Sequence, residues 1–233
     1  MQKITSTDLD QDLKRDIENF GDFNQATIEN QYDNLASKYE LMMTTMGHPD
    51  PGHCGDAAVE LLAGAGLDIT KVKALDMGCG TGMVGEELAK RRIADITGID
   101  ASSGMLEESR KKGCYTELVQ MFLGKPETFP ENLRNQFDLV TAAAILAEGH
   151  LTGGAIFEEF LLSLKQGGFV IFTTREEYLT KYGYAPVIEH LNSQGKWKKV
   201  KEFKFQKYHN IQEGDAIGRF QAKDTMLFAY QKL

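Results

Sequence analysis

The sequence predicts a doubly wound α/β protein, and three observations carry that expectation. Short apolar runs of strand length alternate with amphipathic helical segments between about residues 70 and 175. The first run ends in the glycine-rich turn Gly78-Cys79-Gly80-Thr81-Gly82, which opens directly into a helical pattern. Beyond residue 195 two strand-like runs follow one another with no helix between them. Alternation implies parallel strands joined by right-handed crossovers. The helix-free tail implies an antiparallel pair at one sheet edge.

Taken in order, residues 1–30 are polar with scattered apolar positions and read as partly frayed helix. Residues 31–43 place Tyr32, Leu35, Tyr39, Met42 and Met43 at helical spacing. Two prolines and three glycines mark 47–55 as a loop, and 56–66 as a short apolar helix follows. The period then changes. Residues 71–78 form a first buried strand, 82–92 a helix with acids early and bases late, and 94–100 a second strand. A helix over 102–113 starts at a serine and stops at Gly113. Strands over 115–124 and 136–146 come next. The helix over 155–168 stacks Ile156, Phe157, Phe160, Leu161 and Leu164 on one stripe, and a fifth strand covers 168–175. A helix near 185–195 precedes the two tail strands, 197–208 and 224–233. No repeat or linker divides the chain, so 1–233 reads as one domain, with 1–55 as a helical cap on a core over 70–233.

Composition narrows the function classes. The chain has 233 residues, 42% apolar and 26% charged, with a net charge of −8. An acidic surface repels nucleic-acid backbones and anionic membranes outside a local basic patch. The one such patch is Lys196–Lys207, read as the wet face of an edge strand with Phe203 and Phe205 pointing to the other face. Cys54, Cys79 and Cys114 are odd in number and lack metal-ligand spacing, so neither a zinc site nor a disulfide framework is expected. Reduced thiols, no apolar leader and no apolar run of membrane-spanning length fit a cytoplasmic, soluble protein.

The chemistry-bearing segment is 74–82, Ala-Leu-Asp-Met-Gly-Cys-Gly-Thr-Gly. Glycines at the carboxyl end of a first strand let a ligand approach the backbone at the switch point of an open sheet. The spacing is G-x-G-x-G, with Met83 where a dinucleotide fold carries its third glycine. Asp76 would repel a pyrophosphate but suits an ammonium. Asp100 ends the second strand and is placed to bond a ribose diol; Met105 and Leu106 follow to flank an adenine. A nucleoside joined to a cationic amino acid fits these groups.

ALDMGCGTG resembles the first signature of class I S-adenosylmethionine-dependent methyltransferases, GIDASSGML their second, and LKQGG the turn before their fifth strand. The resemblance covers about residues 30–180. It implies a Rossmann-like seven-stranded sheet ordered 3-2-1-4-5-7-6, strand 7 antiparallel, with helices on both faces. It also implies S-adenosylmethionine as cofactor and S-adenosylhomocysteine as product. On this resemblance Gly78, Cys79, Gly80 and Gly82 form the turn behind the methionine moiety, and Asp76 lies near its ammonium, directly or through water. Asp100 and Ala101 face the ribose, and Met105, Leu123 and Gly124 the adenine. Ala143 and Ala144 line the methionine side, and Tyr32 and Tyr39 cover the cofactor. The acid often found beside Leu123 to receive the adenine amino group is absent.

Methyl transfer from a sulfonium needs positioning more than covalent chemistry. His150, just beyond the fourth strand, is the candidate general base, and Arg175, at the end of the fifth, the candidate for an anionic substrate. His48 and His53, in the 47–55 loop, receive no role. No Asn-Pro-Pro-aromatic motif follows the fourth strand and no acidic metal cluster is evident, so a small-molecule acceptor and no metal are expected. A protein or RNA methyltransferase, or a silent cofactor-binding protein, are the alternatives.

Overall fold

The structure, a computed structural model, describes residues 3–21, 27–151 and 153–233. Its strands are β1 (Lys73–Met77), β2 (Asp95–Asp100), β3 (Glu117–Gln120), β4 (Phe137–Leu146), β5 (Leu164–Thr174), β6 (Trp197–Lys207) and β7 (Lys223–Lys232). They form one sheet ordered β3-β2-β1-β4-β5-β7-β6. β1 to β5 pair in parallel, and β7 runs antiparallel to both β5 and β6. Alternation along β1 sends Leu75 and Met77 to one face, against Val140 and Phe172, and Ala74 to the other, against Ile96 and Leu139. Both faces are therefore dry, which is why the parallel strands read as near-continuous apolar runs.

Helices α1 (Gln11–Asn19), α2 (Ile28–Met46), α3 (Asp50–Gly64), α4 (Met83–Lys90), α5 (Ser103–Lys112), α6 (Ala155–Ser163), α7 (Glu176–Lys181) and α8 (Tyr184–Ser193) complete the elements. α3 and α4 cover one sheet face; α6 and α8 cover the other. A third cluster seats the N-terminal cap. Ile17 of α1, Phe20 and Met42, Met43 and Met46 of α2 pack on Tyr208, Ile211, Ile217 and Phe220. The 1–30 reading is met by α1 and the start of α2; residues 1–2 and 22–26 lie outside the described residues.

Several boundaries differ from the sequence expectation, each for a local reason. The 47–55 segment is a loop only to Pro49, because α3 begins at Asp50. Proline in a first helical turn gives up an N–H that has no helical partner, so Pro51 starts the helix rather than breaking it. The third strand stops at Gln120, leaving 121–124 as a loop, and α6 ends at Ser163, with 164–168 already in β5. In the lysine run, Lys196, Lys198, Lys199 and Lys204 are exposed as expected, and Lys207 is the correction. Lys201 pairs with Glu60 at 2.7 Å, and Lys204 with Glu176 at 3.2 Å. Lys207 is buried beside Asp50, not on a wet face. His53 lies on α3, its ring against Phe203 and Phe205.

Candidate active site

The glycine-rich turn is held from behind by the end of β2. The N–H groups of Gly78 and Cys79 both donate to the Ile99 carbonyl, at 2.8 and 2.9 Å. Gly80 N–H donates to Asp100 Oδ2 at 2.8 Å, and Ser102 N–H to Asp100 Oδ1 at 2.9 Å. One carboxylate thus fixes the turn and the start of α5 together. Gly78 has φ +71°, and a Cβ there would fall 2.1 Å from Ile145 Cγ2. Gly80 has φ +55°, and nothing lies within 4 Å of where its Cβ would stand. The first glycine is needed for packing, the second leaves an open cradle.

A cleft of about 540 Å³ opens on this turn, within the range of small-ligand sites. Gly78, Gly80, Asp100, Ala101 and Met105 form one wall. Leu123 and Gly124, from the loop after β3, form a second, and Ala143 and Ala144, from the end of β4, a third. Tyr32 and Tyr39 of α2 and His150 complete the lining. These are twelve of the residues singled out from sequence, drawn together by the carboxyl ends of the strands. Phe122 and Glu29 also line it, and no sequence signal marks either.

Asp76 and Arg175 sit elsewhere, and Cys79 and Gly82 belong to the turn without lining the cleft. Asp76 lies behind the turn, where Tyr115 donates its hydroxyl proton at 2.7 Å and Thr141 donates at 2.8 Å. Each of its oxygens thus accepts one hydrogen bond within the fold, and Asp76 does not itself line the cleft. Burial pushes its pKa up to about 6, against those two hydrogen bonds and with the Asp100 charge adding to the rise.

The loop at 121–125 lacks its own acid, but a distant one supports it. Glu159 of α6, fully buried, accepts from Gly124 N–H at 2.8 Å and Lys125 N–H at 2.7 Å. Nothing in the sequence spacing links Glu159 to that loop. α2 is tied down in a comparable way. Asp33 Oδ1 accepts from Ser102 Oγ at 2.5 Å and from Gly104 N–H at 2.7 Å, at the N-terminus of α5. Asp33→Ala is expected to cost about 1–2 kcal/mol of stability in urea titration. An unchanged midpoint would mean that the apolar cap cluster alone holds α2.

His150 is half-buried. Its Nδ1 lies 2.8 Å from the Glu148 carbonyl and its Nε2 2.7 Å from the Tyr32 hydroxyl. A carbonyl only accepts, so Nδ1 carries the proton and Nε2 accepts from Tyr32. Burial lowers the His150 pKa to about 4, against the bond to Glu148, with Arg219 and Lys207 lowering it further. An unfolded histidine titrates near 6.5. Below that pH the unfolded chain takes up a proton that the folded chain refuses. This contribution to stability is present above about 6.5 and is lost as pH falls towards 4. Asp76, with its raised value, works in the opposite sense, so the wild-type profile alone is uninformative. The stability advantage of wild type over His150→Gln should shrink by about 1–2 kcal/mol between about pH 7 and 5. A difference independent of pH would contradict the neutral ring.

A second, smaller cavity of about 80 Å³ adjoins the first. The two share Tyr32, Tyr39, Ala144 and His150. Arg175, Thr225, Lys207 and Asp50 line the smaller one. Asp50 anchors its floor. Thr173 donates its hydroxyl proton to Asp50 Oδ2 at 2.7 Å and accepts from Ala144 N–H at 2.9 Å. Lys207 Nζ lies 3.4 Å from Asp50 Oδ2, and His48 Nδ1 2.8 Å from Oδ1, off the line of a good hydrogen bond. Burial alone would raise the Asp50 pKa, but Lys207, His48 and Thr173 outweigh it and hold the carboxyl far below the ordinary range. Burial and Lys207 lower the pKa of His48, given no role from sequence, against the pull of Asp50.

Residues 74–168 match a methyltransferase-domain family, and with the sheet order and the turn this defines the class. The chain belongs to the class I S-adenosylmethionine-dependent methyltransferases, whose cofactor is S-adenosylmethionine. Among individual proteins, it is 31% identical over 171 residues to human methyltransferase-like protein 27, covering 72% of this chain and 66% of that protein. It is 30% identical over 109 residues to the ubiquinone biosynthesis O-methyltransferase of Shewanella halifaxensis, covering 46% of this chain and 45% of that protein. The chain thus matches about two thirds of the first relative's length and less than half of the second's. Its fold superposes on magnesium protoporphyrin IX methyltransferase from Synechocystis PCC 6803 with bound S-adenosylmethionine at TM-score 0.56 and 15% identity, covering 95% of this chain and 90% of that one. Among the described residues no helix is long and apolar enough to cross a membrane.

Proposed function

We propose that this protein transfers the methyl group of S-adenosylmethionine to a small-molecule acceptor, with the donor in the larger cleft and the acceptor in the smaller cavity. The observation that carries this reading is the wall the two cavities share, Tyr32, Tyr39, Ala144 and His150. A methyl group at that junction would face both compartments.

The residues fit the donor. Gly80 leaves room for a close backbone approach, and Asp100 keeps oxygen lone pairs for ribose hydroxyls beyond the two N–H groups it accepts. Met105, Leu123 and Gly124 would border the adenine, and Ala143 and Ala144 the methionine side. Tyr32 and Tyr39 would cover the cofactor, while Asp76, Cys79 and Gly82 shape the turn from behind. When bound, the cofactor supplies a methyl carbon on a cationic sulfur: an acceptor lone pair bonds to that carbon as the C–S bond breaks, leaving its electron pair on a neutral thioether.

The chain's own part is orientation and exclusion of water, which supplies roughly 7–11 kcal/mol when the geometry is right. A hydroxyl acceptor becomes a strongly acidic oxonium as it is methylated. The weakly basic Nε2 of His150 already accepts from Tyr32, so that proton would reach it through the Tyr32 hydroxyl, which takes the new proton as it passes its own to Nε2. Arg175 would hold the far end of the acceptor. The pairing of Lys201, Lys204 and Lys207 with carboxylates supports a small molecule over RNA. Three unpaired cysteines support a reducing, cytoplasmic setting.

A screen of metabolites with methyl-labelled cofactor, products identified by mass, tests this. One or more labelled small molecules are expected. Tight cofactor binding with label passing only to protein or RNA, or to nothing, would overturn the acceptor class.

A further inference from the structure

We propose that the acceptor carries a single carboxylate, held in the smaller cavity by Arg175 and Thr225. This rests on the methyltransferase reading above and names its substrate class. Two independent observations lead to it.

The first is Thr225. It is 2% exposed and lines the cavity, and its hydroxyl has no hydrogen-bond partner among the described residues. Buried hydroxyls are rarely left so, and this one belongs to a residue of the cavity wall, where a small side-chain rotation would present it to a ligand. The second is the distribution of charge. Three cations, Arg175, Lys207 and Arg219, and two carboxylates, Asp50 and Glu148, line this space. Lys207 is matched by Asp50 at 3.4 Å and Arg219 by Glu148 at 3.2 Å. Arg175 pairs only loosely among the described residues, at 3.5 Å from the exposed Glu177. A wet pair of that kind contributes little and yields readily to a better partner.

Arg175 and Thr225 also belong together by topology. In the antiparallel register of β5 and β7, Thr174 pairs with Met226, which makes Arg175 and Thr225 the next position along. The Arg175 guanidinium lies 5.2 Å from the centre of the Tyr178 ring, which orients it. A guanidinium fork and a hydroxyl suit a carboxylate, with two parallel N–H donors and a third O–H donor. One surplus positive charge suits a monoanion. A phosphate dianion would meet Asp50 and Glu148 as well. At about 80 Å³ the space takes a carboxylate and a few linking atoms, so the methylated atom lies close to the acid.

The test uses the full chain saturated with S-adenosylhomocysteine, titrated by calorimetry with benzoate, its neutral isostere benzamide, and phenyl phosphate. Benzoate is expected to bind at least tenfold more tightly than the other two. Arg175→Gln and Thr225→Val should remove that preference and leave the affinity for S-adenosylhomocysteine within twofold. Benzamide binding as well as benzoate, tighter binding of phenyl phosphate, or no binding of any probe to the loaded protein would overturn the carboxylate assignment. The wild-type comparison decides this even where a variant folds poorly. Failure of S-adenosylhomocysteine itself to bind is a different result, and would remove the methyltransferase reading beneath it.

Discussion

Asp50→Ala is expected to lower the stability of the protein by about 3–5 kcal/mol, the usual cost of removing one partner from a buried ion pair. Asp50 is fully buried, and the Lys207 side chain is only 9% exposed. Without the carboxylate, Lys207 would keep its charge in a desolvated site with no counter-charge, and Thr173 would lose its acceptor. The damage should reach the active site. Thr173 holds the Ala144 N–H, and Ala144 sits at φ +62°, a left-handed conformation that a non-glycine residue keeps only under constraint. Asp50→Asn retains the shape and the Thr173 contact, so it should fall between wild type and alanine. Urea denaturation followed by circular dichroism measures both. A loss below about 1 kcal/mol for the alanine variant would mean that Lys207 escapes to water, and the buried-pair account would fail.

Asp100→Ala should weaken binding of S-adenosylmethionine by about 1–3 kcal/mol, or about 5- to 150-fold. Two effects add. In the proposed pose the ribose hydroxyls would lose their acceptor, and the N–H groups of Gly80 and Ser102 lose theirs. Asp100→Asn keeps one acceptor oxygen for those N–H groups and should lie between. Burial raises the Asp100 pKa, against its bonds to Ser102, Gly80 and Ala101, so cofactor affinity should also fall as pH drops and the carboxylate is neutralised. Calorimetric titration measures the loss. Unchanged affinity in the alanine variant would remove Asp100 from the site.

What was legible in the sequence is what local pattern dictates. The strands from 71 to 175, the glycine-rich turn and Asp100 at the end of β2 are read from residues close together in the chain. The sheet order came from the resemblance rather than from the pattern. What escaped reading depends on partners far away. Lys207 looks like one more lysine of an edge strand until Asp50, 157 residues earlier, is set beside it. The hydrogen bonds that hold Asp76 come from Tyr115 and Thr141, 39 and 65 residues further on. Glu159 looks like an exposed helical acid, yet it braces the 121–125 loop from beneath. Pro51 and its neighbouring glycines suit both a loop and a helix start, and packing of α3 on the sheet decides between them.

The most direct test is calorimetric titration of the purified wild-type protein with S-adenosylhomocysteine and, separately, with NADH. One site for the nucleoside thioether and no heat with the dinucleotide is the outcome required by a turn of G-x-G-x-G spacing backed by Asp100. Binding of NADH, or indifference to both compounds, would contradict it.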